Sequence, residues 1–114
     1  MSPNDIPGKD LQPISDIDPL IHAPTRLKIL AYLSIVESSD FTFLMRQTGL
    51  TRGNLSVNLR KLEEVGYVNI QKEFVDRIPR TLIRLTNEGH QAIQAYRENM
   101  QLVLNELLDQ KGPD

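Results

Sequence analysis

Two stretches of the sequence carry side chains whose types and spacing suit contact with nucleic acid. In the first stretch the candidate residues are Thr51, Arg52, Asn54, Ser56, Val57, Arg60 and Lys61. In the second stretch the candidates are Arg77 and Arg80, which flank Ile78 and Pro79. Arginine, amide, hydroxyl and methyl groups suit guanine, adenine, phosphate and the thymine methyl group, respectively. These residues predict a nucleic-acid interface, although Arg77 and Arg80 are also compatible with ordinary solvated loop charges.

The residues that most enzymes and metal sites require are missing or scattered. The chain has no cysteine, which excludes disulfides, thiolate metal sites and thiol redox chemistry. His22 and His90 are far apart in sequence, and neither has a histidine partner at metal-binding spacing. There is no glycine-rich phosphate loop and no nucleophile elbow. We therefore expect no catalytic residue, no metal ion and no cofactor.

Length and composition indicate a globular domain. The 114 residues are 39% apolar and 25% charged, as is typical of folded domains. No apolar run approaches the ~20 residues that cross a bilayer. The polar start, MSPNDIPGKD, lacks the apolar core of a secretory signal. We therefore expect a cytoplasmic location and no membrane partner.

Charge is distributed unevenly along the chain. The net charge is −2, but residues 46–84 carry eight cations against four anions and the rest of the chain has a net charge of −6. A basic middle segment can steer one face toward a polyanion while the whole protein remains acidic. An ordinary solvated charge pattern explains the same distribution equally well.

Apolar residues at helical spacing predict helices in the first half of the chain. Residues 1–15 are rich in proline and predict a flexible tail, and residues 16–22 could form one short helical turn. Pro24 then opens a helix that ends near Ser38, because proline suits the first helical position.

Two further helices are predicted in close succession. A short extended piece begins at Phe41, and Thr42 is the expected N-cap of a helix that ends at Gly49. Thr51 caps the next helix, which Gly66 closes. The buried face of that helix is predicted from Leu55, Leu59 and Leu62. Two helices joined by a tight glycine turn form a helix-turn-helix unit.

The second half of the chain predicts a hairpin and a long helix. Residues 67–74 and 81–86 alternate apolar and polar residues as strands do, and residues 76–80 are read as the loop between them. Thr86 then caps a helix that runs to about Gln110, with Glu88 in its first turn. The expected fold class is therefore mostly α with a small β-hairpin.

The segments LTRGNLSVNLRKLEEVGYV and PRTLIRLTNEGHQAI resemble winged helix-turn-helix transcriptional regulators of the ArsR and MarR type in bacteria and archaea. The resemblance covers roughly residues 18–96. The predicted domains are a flexible tail over residues 1–15, a DNA-binding domain over residues 16–90, and a C-terminal dimerisation helix with a short tail over residues 91–114. The resemblance implies a regulator that binds double-stranded DNA, with the recognition helix in the major groove and the hairpin, called the wing, on flanking DNA. The lack of cysteine disagrees with thiolate metal sensing of the ArsR type, and the sequence identifies no small-molecule effector. A winged helix that binds a protein and not DNA is the alternative function.

The last helix carries a second pattern, which suits a pair of helices from two chains. The apolar residues at alternating three- and four-residue spacing are Ile93, Tyr96, Met100, Val103 and Leu107, and Leu104 and Leu108 widen the stripe. This stripe predicts a homodimer on a palindromic DNA site, unless it packs against its own domain.

Overall fold

The computed structural model describes residues 11–109, which form a helical domain with a small antiparallel sheet. The elements are α1 (Gln12–Ser15), α2 (Pro24–Val36), β1 (Ser38–Asp40), α3 (Phe41–Thr48), α4 (Arg52–Glu64), β2 (Val68–Val75), β3 (Ile78–Leu85) and α5 (Asn87–Asp109). This order confirms the predicted winged helix-turn-helix architecture. Within the described residues, no helix is long and apolar enough to cross a membrane.

The sheet connects the wing to the helices. Its strand order is β1-β3-β2, and both pairings are antiparallel. Opposite Val68 lies Leu85, and opposite Ile70 lies Ile83, so the base of the hairpin presents one apolar face. The outer end of the hairpin extends beyond that face and is exposed.

A single core joins α2, α3, α4 and the base of the sheet. Its fully buried side chains are Ile21, Ile29, Leu30, Leu33, Leu44, Leu55, Leu59, Leu62 and Ile83. The leucine stripe predicted for α4 lies in this core, so the prediction of its buried face is confirmed. Because burying each such side chain stabilises the fold by ~1.5–3 kcal/mol, this stripe fixes which face of α4 points outward.

The N-terminal segment differs from the prediction. Residues 1–10 lie outside the described part of the chain, and the short helix occupies residues 12–15 and not residues 16–22. The Asp18 carboxylate accepts hydrogen bonds from the backbone N–H of Leu20 at 2.9 Å and from the Tyr67 hydroxyl at 2.9 Å. These bonds hold residues 18–20 in a turn, and burial together with the Asp18 contact raises the pKa of Tyr67.

The cap of α3 also differs from the prediction. The N-cap is Asp40 and not Thr42, since the Asp40 carboxylate accepts from the Phe43 N–H at 2.7 Å. The predicted extended piece was placed too late in the chain. The short strand β1 lies at Ser38–Asp40, where Ser39 pairs with Ile83 of β3, and Phe41 is the first residue of α3. At the other end of α3, Gly49 adopts φ 71° as predicted for a left-handed cap.

The hairpin loop is shorter than predicted. Only Asp76 and Arg77 lie between the strands, and both have positive φ, 51° and 68°. Pro79 and Arg80 therefore belong to β3 and not to a loop over residues 76–80. A two-residue connection with two positive φ angles is the type I′ geometry, whose twist matches that of the strands.

Thr86 caps α5, as predicted, because its hydroxyl accepts from the Gly89 N–H at 2.9 Å. The same hydroxyl donates to the Gly66 carbonyl at 2.5 Å, which ties the start of α5 to the end of α4. Gly89 allows this close approach, since a Cβ atom there would overlap the Tyr67 carbonyl oxygen and the Leu85 side chain.

Candidate nucleic-acid interface

The outward face of α4 carries most of the residues that the sequence singled out. Thr51 caps the helix through its hydroxyl, which accepts from the Asn54 N–H at 3.2 Å. The exposed candidates are Arg52, Asn54, Val57, Arg60 and Lys61, and Ser56 is half-buried. The structure therefore places these side chains on one element, and those of the first two turns lie beside one another at its N-terminal end.

Arg52 is held in place by an aromatic ring. Its guanidinium carbon lies 5.2 Å from the ring centroid of Phe41, which is a cation–π distance. This contact orders the Arg52 side chain at the start of α4 without neutralising its charge. A charged group that is already ordered loses less entropy when it binds a base or a phosphate.

Asn54 belongs to a network that the sequence did not reveal. Its side-chain oxygen accepts from Nδ2 of Asn58 at 2.6 Å, and Oδ1 of Asn58 accepts from Nη1 of Arg26 at 3.1 Å. Asn58 is only 8% exposed, so it contributes to the site from behind the surface. The signal in the sequence was a second asparagine at i+4, which lies beside Leu55 and Leu59 on the buried side.

The wing presents its two predicted arginines differently. Arg77 lies in the turn at the tip and is exposed, whereas Arg80 lies in β3 opposite Glu73, with Nε 3.7 Å from the carboxylate. Within residues 11–109, Arg77 has no carboxylate within 4.0 Å. Arg77 is therefore available for an anionic ligand, and Arg80 is partly neutralised.

A groove of about 880 Å³ separates α4 from the wing. Cationic side chains on its walls include Arg52 and Arg60 of α4 and Lys72 of β2. Asp40, Glu63 and Asp76 also line it, so acidic side chains offset most of the positive charge of the groove lining. In the described residues, Arg52, Arg60 and Lys61 have no carboxylate partner within 4.0 Å.

The stripe predicted on α5 divides into two parts. Ile93 and Tyr96 pack against the chain's own core, and the Tyr96 hydroxyl lies 2.8 Å from Nδ1 of His22. Met100 is half-buried and Val103 is 9% exposed, and α5 also contacts α1. These positions do not form a free surface, because Ile93 and Tyr96 pack against the core and Met100 and Val103 are themselves at least half-buried.

The far end of α5 remains uncovered in the described chain. Leu104 is 51% exposed and Leu107 is 62% exposed, and the neighbouring Leu102 and Leu108 are 50% and 78% exposed. Leu104, Leu107 and Leu108, which belong to the predicted stripe, are called the α5 leucine surface below. Leu102 lies about 120–160° around the helix from each of them and is not part of this surface.

The candidates for metal chemistry remain apart. His22 contacts Tyr96, and His90 is exposed on α5. Within residues 11–109, no three histidine, aspartate or glutamate side chains lie together in a way that could hold a metal ion.

Comparison with known proteins connects this geometry with a family. The sequence matches the winged helix DNA-binding domain over residues 25–104. An uncharacterized protein of Methanocaldococcus jannaschii is 38% identical over 77 residues, which are 68% of this chain and 84% of that protein.

Solved structures agree with this match. A transcriptional regulator homologue from Pyrococcus horikoshii OT3 is similar with a TM-score of 0.80 and 28% identity, over 84% of this chain and 97% of that chain. The Mycobacterium tuberculosis transcriptional regulator MosR, solved in complex with DNA, is similar with a TM-score of 0.61 and 25% identity, over 84% of this chain and 68% of that chain. The structural neighbours include MarR-family regulators. Since the family match covers more than half of the chain, this protein belongs to the family of winged helix DNA-binding domains.

Proposed function

We propose that this protein is a sequence-specific, DNA-binding transcriptional regulator that acts as a homodimer. The observation that carries the proposal is the outward face of α4, where Arg52, Asn54 and Val57 are exposed opposite a buried leucine stripe. Family membership and the similarity to a regulator solved with DNA support it. Such a regulator would act in the cytoplasm of a bacterium or an archaeon.

In this proposal the first two turns of α4 enter the major groove and read base edges. Arg60 and Lys61 lie further along the helix, where phosphates and not bases come within reach. Arg77 at the wing tip reaches the flanking minor groove or its backbone, and Arg80 contributes less because Glu73 already pairs with it.

The α5 leucine surface supports the homodimer. Three exposed leucines on one side of the end of α5, Leu104, Leu107 and Leu108, form an apolar area of the kind that marks interaction sites. A second copy of the same surface is a self-complementary partner, as two-fold symmetry requires. A two-fold dimer would present two copies of α4 to a palindromic operator.

A mobility-shift titration tests the DNA-binding part of the proposal. The probes are the DNA upstream of the protein's own gene and a random duplex of equal length, each at several salt concentrations. We expect Arg52→Ala and Asn54→Ala to lose ~1–3 kcal/mol on the specific site and much less on random DNA. The control is Gln91→Ala, which removes an exposed polar side chain from α5. Equal losses on both probes would contradict base reading by these residues.

One observation favours the alternative, a winged helix that binds a protein. Phe74 and Ile78, near the wing tip, are 76% and 66% exposed. An apolar wing tip suits a protein surface as well as the sugar edges of a minor groove. The double variant Phe74→Ser with Ile78→Ser and the single variant Arg77→Ala distinguish the two functions by their DNA affinity. If only Arg77→Ala lowers the affinity, the apolar tip binds another partner. If both variants lower it, the whole tip contacts DNA.

A further inference from the structure

Asn58 lies behind the DNA-facing surface of α4 and connects it to α2. The side chain is 8% exposed, and each of its polar atoms has a partner. Its Oδ1 faces Arg26 of α2, and its Nδ2 faces both the backbone carbonyl and the side-chain oxygen of Asn54. The Arg26 guanidinium is itself held by the Leu20 carbonyl, which accepts from Nε at 2.7 Å.

The chemistry of these groups fixes the direction of every hydrogen bond in the network. A guanidinium can only donate, so the Asn58 atom 3.1 Å from Arg26 must be the oxygen. A backbone carbonyl can only accept, so the Asn58 atom 2.8 Å from the Asn54 carbonyl must be the nitrogen. Both constraints give the same orientation of the Asn58 amide.

The orientation of Asn58 then determines that of Asn54. Because Nδ2 of Asn58 donates, the Asn54 atom 2.6 Å away must be the accepting oxygen. The other branch of the Asn54 amide, its Nδ2 group, points away from Asn58 on an exposed side chain. The Asn54 oxygen is turned inward toward Asn58, so the outer surface of α4 offers the two N–H donors of Asn54 first.

Donor and acceptor patterns distinguish the bases in the major groove. Guanine presents two acceptors, N7 and O6, whereas adenine presents one acceptor and one donor. An asparagine that reads adenine needs its oxygen and its nitrogen together, and in Asn54 the oxygen already faces Asn58. Two outward donors match guanine.

We infer that Asn58 is a positioning residue that sets the base preference of Asn54 to guanine and not to adenine. This inference rests on the proposed DNA-binding function. It replaces the expectation, drawn from residue type alone, that the amide of Asn54 reads adenine.

Selection from a random duplex library tests the inference, with base preferences read by sequencing. For the wild type we expect guanine to exceed adenine about tenfold at the position that loses its preference in Asn54→Ala. In Asn58→Ala the Asn54 amide can turn, so the preference falls below about threefold. In Asn58→Asp the carboxylate has no donor, so the Asn54 amide turns its nitrogen inward and its oxygen toward DNA. The preference then shifts to adenine or cytosine, whose exocyclic amino groups are donors.

The matched control is Lys28→Met. Like Arg26, Lys28 is a cation of α2 that makes a hydrogen bond to a neighbouring helix, because its Nζ donates to the Thr48 carbonyl at 3.1 Å. The substitution leaves the Asn58 network intact, so its base preferences should equal those of the wild type. Thermal unfolding of each variant confirms that it is folded before selection.

A wild type without any base preference would overturn both the inference and the proposed function. A wild-type preference that both Asn58 variants leave unchanged would overturn the inference alone. If the Asn58 variants do not fold, the inference can still be tested with the wild-type protein. Replacing the selected guanine in the DNA by 7-deazaguanine removes the N7 acceptor and should lower the affinity about tenfold. An unchanged affinity with this base would also overturn the inference.

Discussion

Arg77 occupies a backbone conformation that glycine would adopt more easily. Its φ is 68°, in a two-residue turn that most often carries asparagine or aspartate followed by glycine. A left-handed conformation costs a residue with a Cβ atom ~1–2 kcal/mol. Within residues 11–109 this cation has no carboxylate within 4.0 Å, so a strained backbone position carries a charge that can meet an anionic ligand.

Arg77→Gly separates binding from stability. We expect the free energy of unfolding to rise by about 0.5–1 kcal/mol, because the strain is relieved, while DNA affinity falls. Urea denaturation and mobility shift measure the two quantities. The matched control is Glu37→Gly, since Glu37 also has φ 68° but lies at the end of α2. That variant should gain stability and keep its DNA affinity; a loss of affinity in the control would point to a general effect of flexibility.

Two glycines of helices should respond to alanine in opposite ways. At Gly89 a Cβ atom would overlap the Tyr67 carbonyl oxygen, so Gly89→Ala should destabilise the domain by about 1–3 kcal/mol. At Gly53 nothing lies within 4 Å of the added carbon, so Gly53→Ala should stabilise it by up to ~1 kcal/mol. Thermal unfolding measures both changes, and a destabilising Gly53→Ala would show that the start of α4 is not a regular helix.

At the scale of elements, α4 could be predicted because its determinants are local. The Thr51 cap and the leucine stripe lie within the helix, and both are as expected.

By contrast, β1 consists of two serines and an aspartate and exists only because β3 supplies a partner strand. The two-residue wing turn cannot be predicted from local residue types, because neither Asp76 nor Arg77 is the glycine that positive φ angles favour. The orientation of the Asn54 amide depends on Arg26, 32 residues away from Asn58, and no local pattern contains it.

The α5 stripe shows a different limit of sequence patterns. An apolar spacing is the same whether a helix packs on its own domain or on a second chain. The structure assigns Ile93 and Tyr96 to the chain's own core, whereas Leu104 and Leu107 remain exposed. The expectation of a dimer therefore rests on the end of the helix and not on its whole length.

Charges on the α5 leucine surface test the dimer. We expect Leu104→Lys with Leu107→Lys to raise the dimer dissociation constant at least ~100-fold, because each buried leucine contributes ~1.5–3 kcal/mol and symmetry doubles the number. Sedimentation at micromolar concentration measures it, and circular dichroism should be unchanged because both side chains are exposed. The control is Ile35→Lys with Val36→Lys, on exposed apolar residues at the end of α2. A charged variant that still sediments as a dimer would place the interface elsewhere.

At the scale of the whole molecule, binding to DNA has to overcome an unfavourable net charge. The chain carries −2, so long-range attraction to DNA depends on how the cations are arranged. Residues 46–84, with a net charge of +4, include α4 and the wing, and the remaining acidic residues belong mostly to the N-terminal segment and to α5. Positive charge is therefore concentrated in the middle of the chain and negative charge toward its two ends. Because the net charge does not attract DNA, we expect local phosphate contacts to dominate the salt dependence of the DNA affinity.

The salt dependence of affinity measures those contacts directly. Each phosphate neutralised contributes about 0.9 to the slope of log affinity against log salt concentration. Arg60→Ala with Arg77→Ala removes two contacts per protomer, so the slope of a dimer should fall by about 3–4. The control is Lys28→Met with Arg97→Ala, which removes the same charge from exposed positions on α2 and α5, outside α4 and the wing. If only local contacts matter, the control slope stays close to that of the wild type. An equal fall in both variants would instead show that the overall charge of the molecule, and not the face formed by α4 and the wing, governs its binding to DNA.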